Sequence, residues 1–170
     1  MIERRRDSWL ISLEKSIAGA FFAALIFSVI LQVGTRMLPR LLGEWAVISL
    51  PWTEELSRFT FVWLLMLGAS VGIYNQEHFA LTLLRNAVPV AVQWWMELLV
   101  YLFELVFVGF LIKYGYLMSE MVWGQISPAL GLRYAYVYMS VPVGAVLMGF
   151  HILGSIWKRY ASPRHIVEEA

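Results

Sequence analysis

Residues 16–35 read SIAGAFFAALIFSVILQVGT, 20 residues without a charge, closed by Lys15 on one side and Arg36 on the other. At about 1.5 Å per residue such a run makes a helix about 30 Å long, the thickness of the hydrocarbon core of a bilayer. It is too long for the apolar segment of a cleaved signal peptide, although Arg4, Arg5 and Arg6 precede it, and it reads as a retained membrane span. Two more charge-free runs follow, 18 residues between Arg58 and Glu77 and 24 between Arg133 and Lys158. A fourth stretch, Val90 to Met118, is apolar apart from Glu97, Glu104 and Lys113. Helix breakers stand between them: Pro39, Gly43 and Pro51, then Asn75, Asn86 and Pro89, then Gly124, Pro128 and Gly131. The reading is an all-α integral membrane protein of four transmembrane helices, one membrane domain over residues 1–170. Its spans are expected near 16–36, 54–75, 90–118 and 134–158, with tails at 1–15 and 159–170.

The composition agrees. Of 170 residues, 60% are hydrophobic and 15% charged, against about 25% charged in a globular domain, and the mean hydropathy is +0.68. A soluble surface needs more charge than that. The net charge of +1 offers no field for nucleic acid, and no basic stripe interleaves with aromatic residues. The absence of cysteine excludes disulfides, iron–sulfur clusters, thiolate zinc sites and thiol nucleophiles.

Short interfacial helices are expected beside the spans. Trp9, Leu10 and Leu13 fit one face of an interfacial lead-in, or the first helix simply begins early; both readings stand. Phe79 to Val88, with only Arg85 charged, is too short to span and fits an interfacial segment. Orientation follows from Lys and Arg outside the spans. With both termini cytoplasmic, the inner side holds Arg4, Arg5, Arg6, Lys15, Arg85, Lys158, Arg159 and Arg164, and the outer side Arg36, Arg40, Arg58 and Arg133. Trp94, Trp95, Tyr134, Tyr136, Trp157 and Tyr160 fall where aromatic belts belong.

The densest polar feature is Trp52-Thr53-Glu54-Glu55-Leu56-Ser57-Arg58, at the start of the second span. Helical spacing lets Glu54, Glu55 and Arg58 neutralise one another. One reading is a helix start whose acidic residues favour its dipole; the other is a polar anchor for another protein. Gly68-Ala69-Ser70-Val71-Gly72 carries a G-x-x-x-G spacing that lets helices approach closely, and packing within the chain is the expectation for it. Glu97 and Glu104 share a face of the third span and must be protonated, paired or wet, because a charge facing lipid at mid-membrane costs about 2.5 to 3.5 kcal/mol. A proton relay and a polar contact with a neighbouring helix both satisfy that requirement. Lys113 points the other way, near the outer end, where its stem can snorkel. If the second and third spans are neighbours, Lys113 is expected to approach Glu54 or Glu55. His151 lies within a span, but neither His78 nor His165 offers a second ligand at its depth, so a bis-histidine haem is not expected. No catalytic set, phosphate loop or metal-ligand cluster stands out, and neither an internal repeat nor a broken substrate-binding helix is visible. The chain is read as no enzyme, without catalytic or substrate-binding residues, cofactor or metal.

The tract Trp52-Thr53-Glu54-Glu55-Leu56-Ser57-Arg58-Phe59-Thr60-Phe61-Val62-Trp63, followed by Gly68-Ala69 and His78, resembles the small Q-type membrane subunit of tripartite ATP-independent periplasmic (TRAP) transporters. The segment before His78, Asn75-Gln76-Glu77, departs from the basic residue expected there. The resemblance implies a multi-pass protein of a bacterial or archaeal inner membrane, partnered by a large transport subunit and a periplasmic substrate-binding protein. In such a transporter the large subunit carries sodium and substrate by an elevator motion, and the small subunit braces the stationary scaffold for uptake of an organic anion or related solute. Candidate subunit-interface residues are then Glu54, Glu55, Arg58, Trp63, Gly68 and Gly72. Candidate contacts in the periplasmic loops are Arg36, Arg40, Glu44, Glu120 and Arg133. The remaining partner is membrane lipid. The competing reading is an autonomous four-helix proton-coupled transporter using Glu97 or Glu104.

Overall fold

The computed structural model describes residues 9–43, 48–75 and 90–161. Among the described residues five helical elements follow one another: α1 (Trp9–Leu42), α2 (Pro51–Tyr74), α3 (Val90–Met121), the single turn α4 (Ala135–Tyr138) and α5 (Ser140–Ala161). Four segments of the described residues are long and apolar enough to cross a membrane: Trp9–Leu41, Pro51–Tyr74, Trp95–Met121 and Ala135–Trp157. The described residues form no strand beyond an isolated bridge between Ile126 and Arg133. The expectations for Arg4 to Arg6, Glu44, His78, the 79–88 stretch, Arg164 and His165 lie outside the described residues.

The first helix is longer than its charge-free run. It passes unbroken through residues 9–15, so the proposed lead-in is its first two turns, with Ile11 and Glu14 buried. It also runs through Pro39, which was expected to break it. Proline removes the bond from residue 39 to residue 35, yet only one further turn follows before the helix ends at Gly43. There the Gly43 amide donates to the Pro39 carbonyl at 3.0 Å, and φ is 98°, a conformation side-chain-bearing residues rarely adopt. Arg36 and Arg40 therefore sit on a helix and not in a loop.

Contacts along the helices fix the order in space. Arg36 meets Glu54 at one end, Phe21 stacks on Trp63 at 5.8 Å, and Glu14 meets Ser70 at the other end, so α1 and α2 run antiparallel. Phe59 touches Tyr134, Met66 touches Gly144 and Tyr74 touches His151, so α2 and α5 run parallel. Ser119 donates to the Ala135 carbonyl, Gly115 abuts Val141 and Pro142, and Val108 abuts Gly149, so α3 is antiparallel to α5. The sequence α1–α2–α5–α3 results, with α5 between the second and third spans. The end holding the α1–α2 and α3–α4 connections is called the connection end below, and the opposite one the tail end.

Two glycines make this order possible. A Cβ on Gly144 would stand 2.8 Å from the Met66 Cβ, and one on Gly115 would stand 2.9 Å from both Pro142 and Val141 side chains. The Gly68 and Gly72 spacing, expected to seat a helix of this chain, instead faces open space. The packed core is Met66, Val108, Ala145, Met148 and Ile152, with Ile73, Tyr101, Leu105, Leu111, Val141 and Ile156 around it. The turn at Met139 that separates α4 from α5 has a local cause: Pro142 has no amide to offer the Tyr138 carbonyl, and its ring crowds that group. Gly144→Leu should therefore lower the thermal stability of the detergent-purified chain by about 1 to 3 kcal/mol through overpacking. Gly68→Ala, in open space, should not lower it.

Candidate functional site

At the connection end, α2 starts at Pro51, and successive residues of its first two turns fall about 100° apart around the axis. That rotation separates the two acidic residues. Glu54 is exposed and pairs with Arg36 of α1 at 2.5 Å. Glu55 is buried and turns towards the connection after α3. One of its oxygens, Oε2, accepts the Ser127 hydroxyl together with the amides of Ala129, at 3.1 Å, and Leu130, at 2.9 Å. The turn that presents these donors is closed by the Gly131 amide on the Ser127 carbonyl at 3.0 Å, with Gly131 at φ 67°, and by the Ser127 amide on the Leu132 carbonyl at 2.8 Å. Amides aimed at a carboxylate make charge-assisted bonds, about twice as strong as neutral ones. Glu55 thus fastens the α3–α4 connection to α2.

The expected mutual neutralisation of Glu54, Glu55 and Arg58 is accordingly divided. Glu55 hydrogen-bonds to the chain's own turn, Glu54 pairs with Arg36, and Arg58 stays exposed on the α1–α2 side, its charge still acting on Glu55 through space. The expected approach of Lys113 to Glu54 or Glu55 gives way to other partners, because α5 stands between α2 and α3. Lys113 is exposed, with its amine 5.7 Å from the Tyr114 ring centroid. Arg133 lies over Trp123 at 5.2 Å, and Trp123 meets Tyr136 edge-on. Arg40 and Glu120 are exposed on the last turns of α1 and α3. Trp63 is half-buried on Phe21, Gly68 is exposed, and Gly72 is half-buried without a close neighbour.

At the tail end a second polar junction joins three helices. Glu14 of α1 accepts the Ser70 hydroxyl of α2 on Oε2 at 3.0 Å, and His151 Nε2 of α5 lies 3.0 Å from its Oε1. All three side chains are buried, and Tyr74 packs edge-on against the imidazole at 5.2 Å. Sequence reasoning did not single out Glu14. Its position three residues after Ile11, on the apolar face that continues into the span, was the available signal. A buried carboxyl group needs hydrogen-bond partners, and His151, set aside as a haem ligand, provides one. Glu97 is buried and Glu104 half-buried on α3. Among the described residues no group of three or more His, Cys, Asp or Glu side chains is placed to hold a metal ion.

Both junctions hold helices together, while the flanks are open and apolar. Phe22, Phe27, Ile30 and Val33 of α1 and Phe103, Phe107 and Phe110 of α3 are exposed. Removing one member of the buried pair should be costly and removing both nearly neutral. His151→Leu alone should destabilise the chain by about 3 to 5 kcal/mol, and Glu14→Met with His151→Leu should recover most of that loss in thermal unfolding.

The family described as "Tripartite ATP-independent periplasmic transporters, DctQ component" has a model that matches residues 25–162. The chain is 30% identical over 148 residues to the isethionate TRAP transporter permease protein DctMQ of Oleidesulfovibrio alaskensis, covering 85% of this chain and 23% of that protein. It is 28% identical to the sialic acid TRAP transporter permease protein SiaT of Haemophilus influenzae, over 83% of this chain and 22% of that one. Against the sialic acid TRAP transporter small permease protein SiaQ of Vibrio cholerae the identity is 27%, over 86% of this chain and 80% of the relative. The chain thus spans less than a quarter of the first two relatives and four fifths of the third.

Proposed function

Because the chain belongs to the DctQ-component family of TRAP transporters, permease subunits and not enzymes, we propose that it is the fixed small subunit that braces a larger transport subunit. The observation that carries this reading is the use of polar groups. Glu55 with Ser127, and Glu14 with Ser70 and His151, tie helices and connection to one another at both ends. A chain locked at both ends suits a stationary scaffold, whereas a carrier needs an element free to move between two arrangements. The exposed apolar flanks of α1 and α3 supply area for a second membrane protein and for lipid.

The partner is a large membrane subunit. Matching most of a protein named small permease and under a quarter of two named permease supports this, since the same unit recurs beside a much longer remainder. The transporter so formed takes up an organic acid or related solute with sodium, delivered by a periplasmic binding protein. Isethionate and sialic acid, in the names of the relatives, are organic acids. Residues outside the two internal junctions are left for the partners: Glu54, Gly68 and Gly72 for the large subunit, Arg40, Glu120 and Arg133 for the binding protein.

Two experiments test the role. A tagged chain in mild detergent should copurify with a larger membrane protein, and proteoliposomes holding this chain alone should show no gradient-driven solute uptake. Uptake by the lone chain would overturn the scaffold and favour a carrier working through Glu97 or Glu104. In a bacterial inner membrane, the eight-to-four distribution of Lys and Arg puts both termini in the cytoplasm. Reporter fusions at Met1 and Ala170 should be active only as cytoplasmic reporters, and a periplasmic signal at either end would reverse the orientation.

A further inference from the structure

Between α1 and α2 at the connection end lies an open groove lined by Leu25, Val29 and Gln32 from one helix and by Glu54, Ser57, Arg58 and Phe61 from the other. The spacing i, i+4, i+7 on α1 and i, i+3, i+4, i+7 on α2 makes each set a single helical face. Since the helices are antiparallel, the two faces grade together along the bilayer normal. Gln32 stands opposite Glu54 at the outermost level, Ser57 and Arg58 lie about one turn deeper, and Leu25 and Phe61 form the deepest part. The groove is polar at its membrane-surface end and apolar at its hydrocarbon end, and it opens sideways, with Val29 and Phe61 both exposed.

The two arginines at the polar end are engaged unequally. Glu54 is paired with Arg36, and Glu55 points away to the turn at residues 127–130. Arg58, whose charge acts on Glu55 only through space, keeps an exposed guanidinium that no other described residue engages by hydrogen bond or ion pair. We infer that this groove binds one glycerophospholipid, its phosphodiester on Arg58 and an acyl chain laid between Leu25, Val29 and Phe61. A guanidinium presents paired donors that match phosphate oxygens. The order of the lining, cation above and aliphatic and aromatic side chains below, repeats the order of groups in a phospholipid.

Native mass spectrometry of the full chain, delipidated and then given dioleoylphosphatidylglycerol, tests the site. The parent should retain one phospholipid and hold it more firmly than dioleoylglycerol, which has the same chains and no phosphate. Arg58→Gln should lower retention about tenfold, the effect of one lost charge-assisted contact, and Arg58→Lys should keep much of it. Phe61→Ala should weaken retention with all charges present. Arg40→Gln, an exposed arginine of the same membrane end outside the groove, should leave retention within about twofold. Equal retention by Arg58→Gln and parent, equal binding of dioleoylglycerol, or an equal loss in Arg40→Gln would overturn the site. So would displacement of the lipid by millimolar inorganic phosphate, which would mark a free-anion site. If Arg58→Gln leaves lipid retention intact but strips a copurifying membrane protein, the groove belongs to that protein and the lipid assignment fails.

Discussion

Where α5 crosses Met66, nothing larger than hydrogen fits at residue 144: a Cβ there would meet the Met66 Cβ at 2.8 Å and its carbonyl at 3.2 Å. In lipid, helix association gains little from hiding apolar surface, because the tails are as apolar as the side chains; backbone proximity and van der Waals contact take over. Gly144 against α2 and Gly115 against the start of α5 supply that proximity on two sides of one helix. The fourth span thereby becomes the centre of the bundle. Met148 and Ile152 continue the same seam towards the tail end, and α1 is left to attach to α2 alone along most of its length.

Such an edge helix needs fastening, and polar ties provide it. Arg36 with Glu54 is solvent-exposed and contributes about 0 to 1 kcal/mol. Glu14 is different in kind. Buried between Ser70 and His151, its carboxyl group fixes the rotation and height of α1 relative to α2 and α5 at once, because a displacement of one turn would leave a buried polar group without partners in an apolar setting. Glu55 does the same for the connection after α3. Its Oε2 collects one hydroxyl and two amides, so the turn at residues 127–131 is held against α2 instead of lying free at the membrane surface.

These ties bear on the proposed role. A scaffold must resist displacement while another body moves past it, and that demands couplings that fail together. Here α2 contributes to each polar junction and to the Met66–Gly144 crossing: Glu54, Glu55, Met66, Ser70 and Tyr74 succeed one another along its length. The motif through which the chain resembles its family lies on this helix. Much of that motif is structural, with Glu55 and Phe59 serving the inside of the chain, while Glu54 and Arg58 remain on its surface.

Four helices long and apolar enough to span were legible in the sequence because hydrocarbon thickness imposes a length and the absence of water imposes an apolar composition. Both are properties of single segments. The ends of the helices were less legible: Pro39 was read as a breaker, but a proline one turn from a terminus costs a helix too little to stop it. The Glu54-Glu55-Arg58 cluster was visible as a feature, yet its division between an inward and an outward carboxylate depends on what stands opposite each, namely Arg36 and the Ser127 turn. The neighbours of each helix were decided only in the tertiary structure. A glycine pair at Gly68 and Gly72 spells close approach as plainly as Gly115 and Gly144 do, and only the packed bundle shows which of them meets a partner within the chain. The sequence determined which segments enter the bilayer, since that depends on each segment and its solvent. The tertiary structure decided that Glu14 finds His151 across 137 positions of chain, since such a pairing depends on which helices come together.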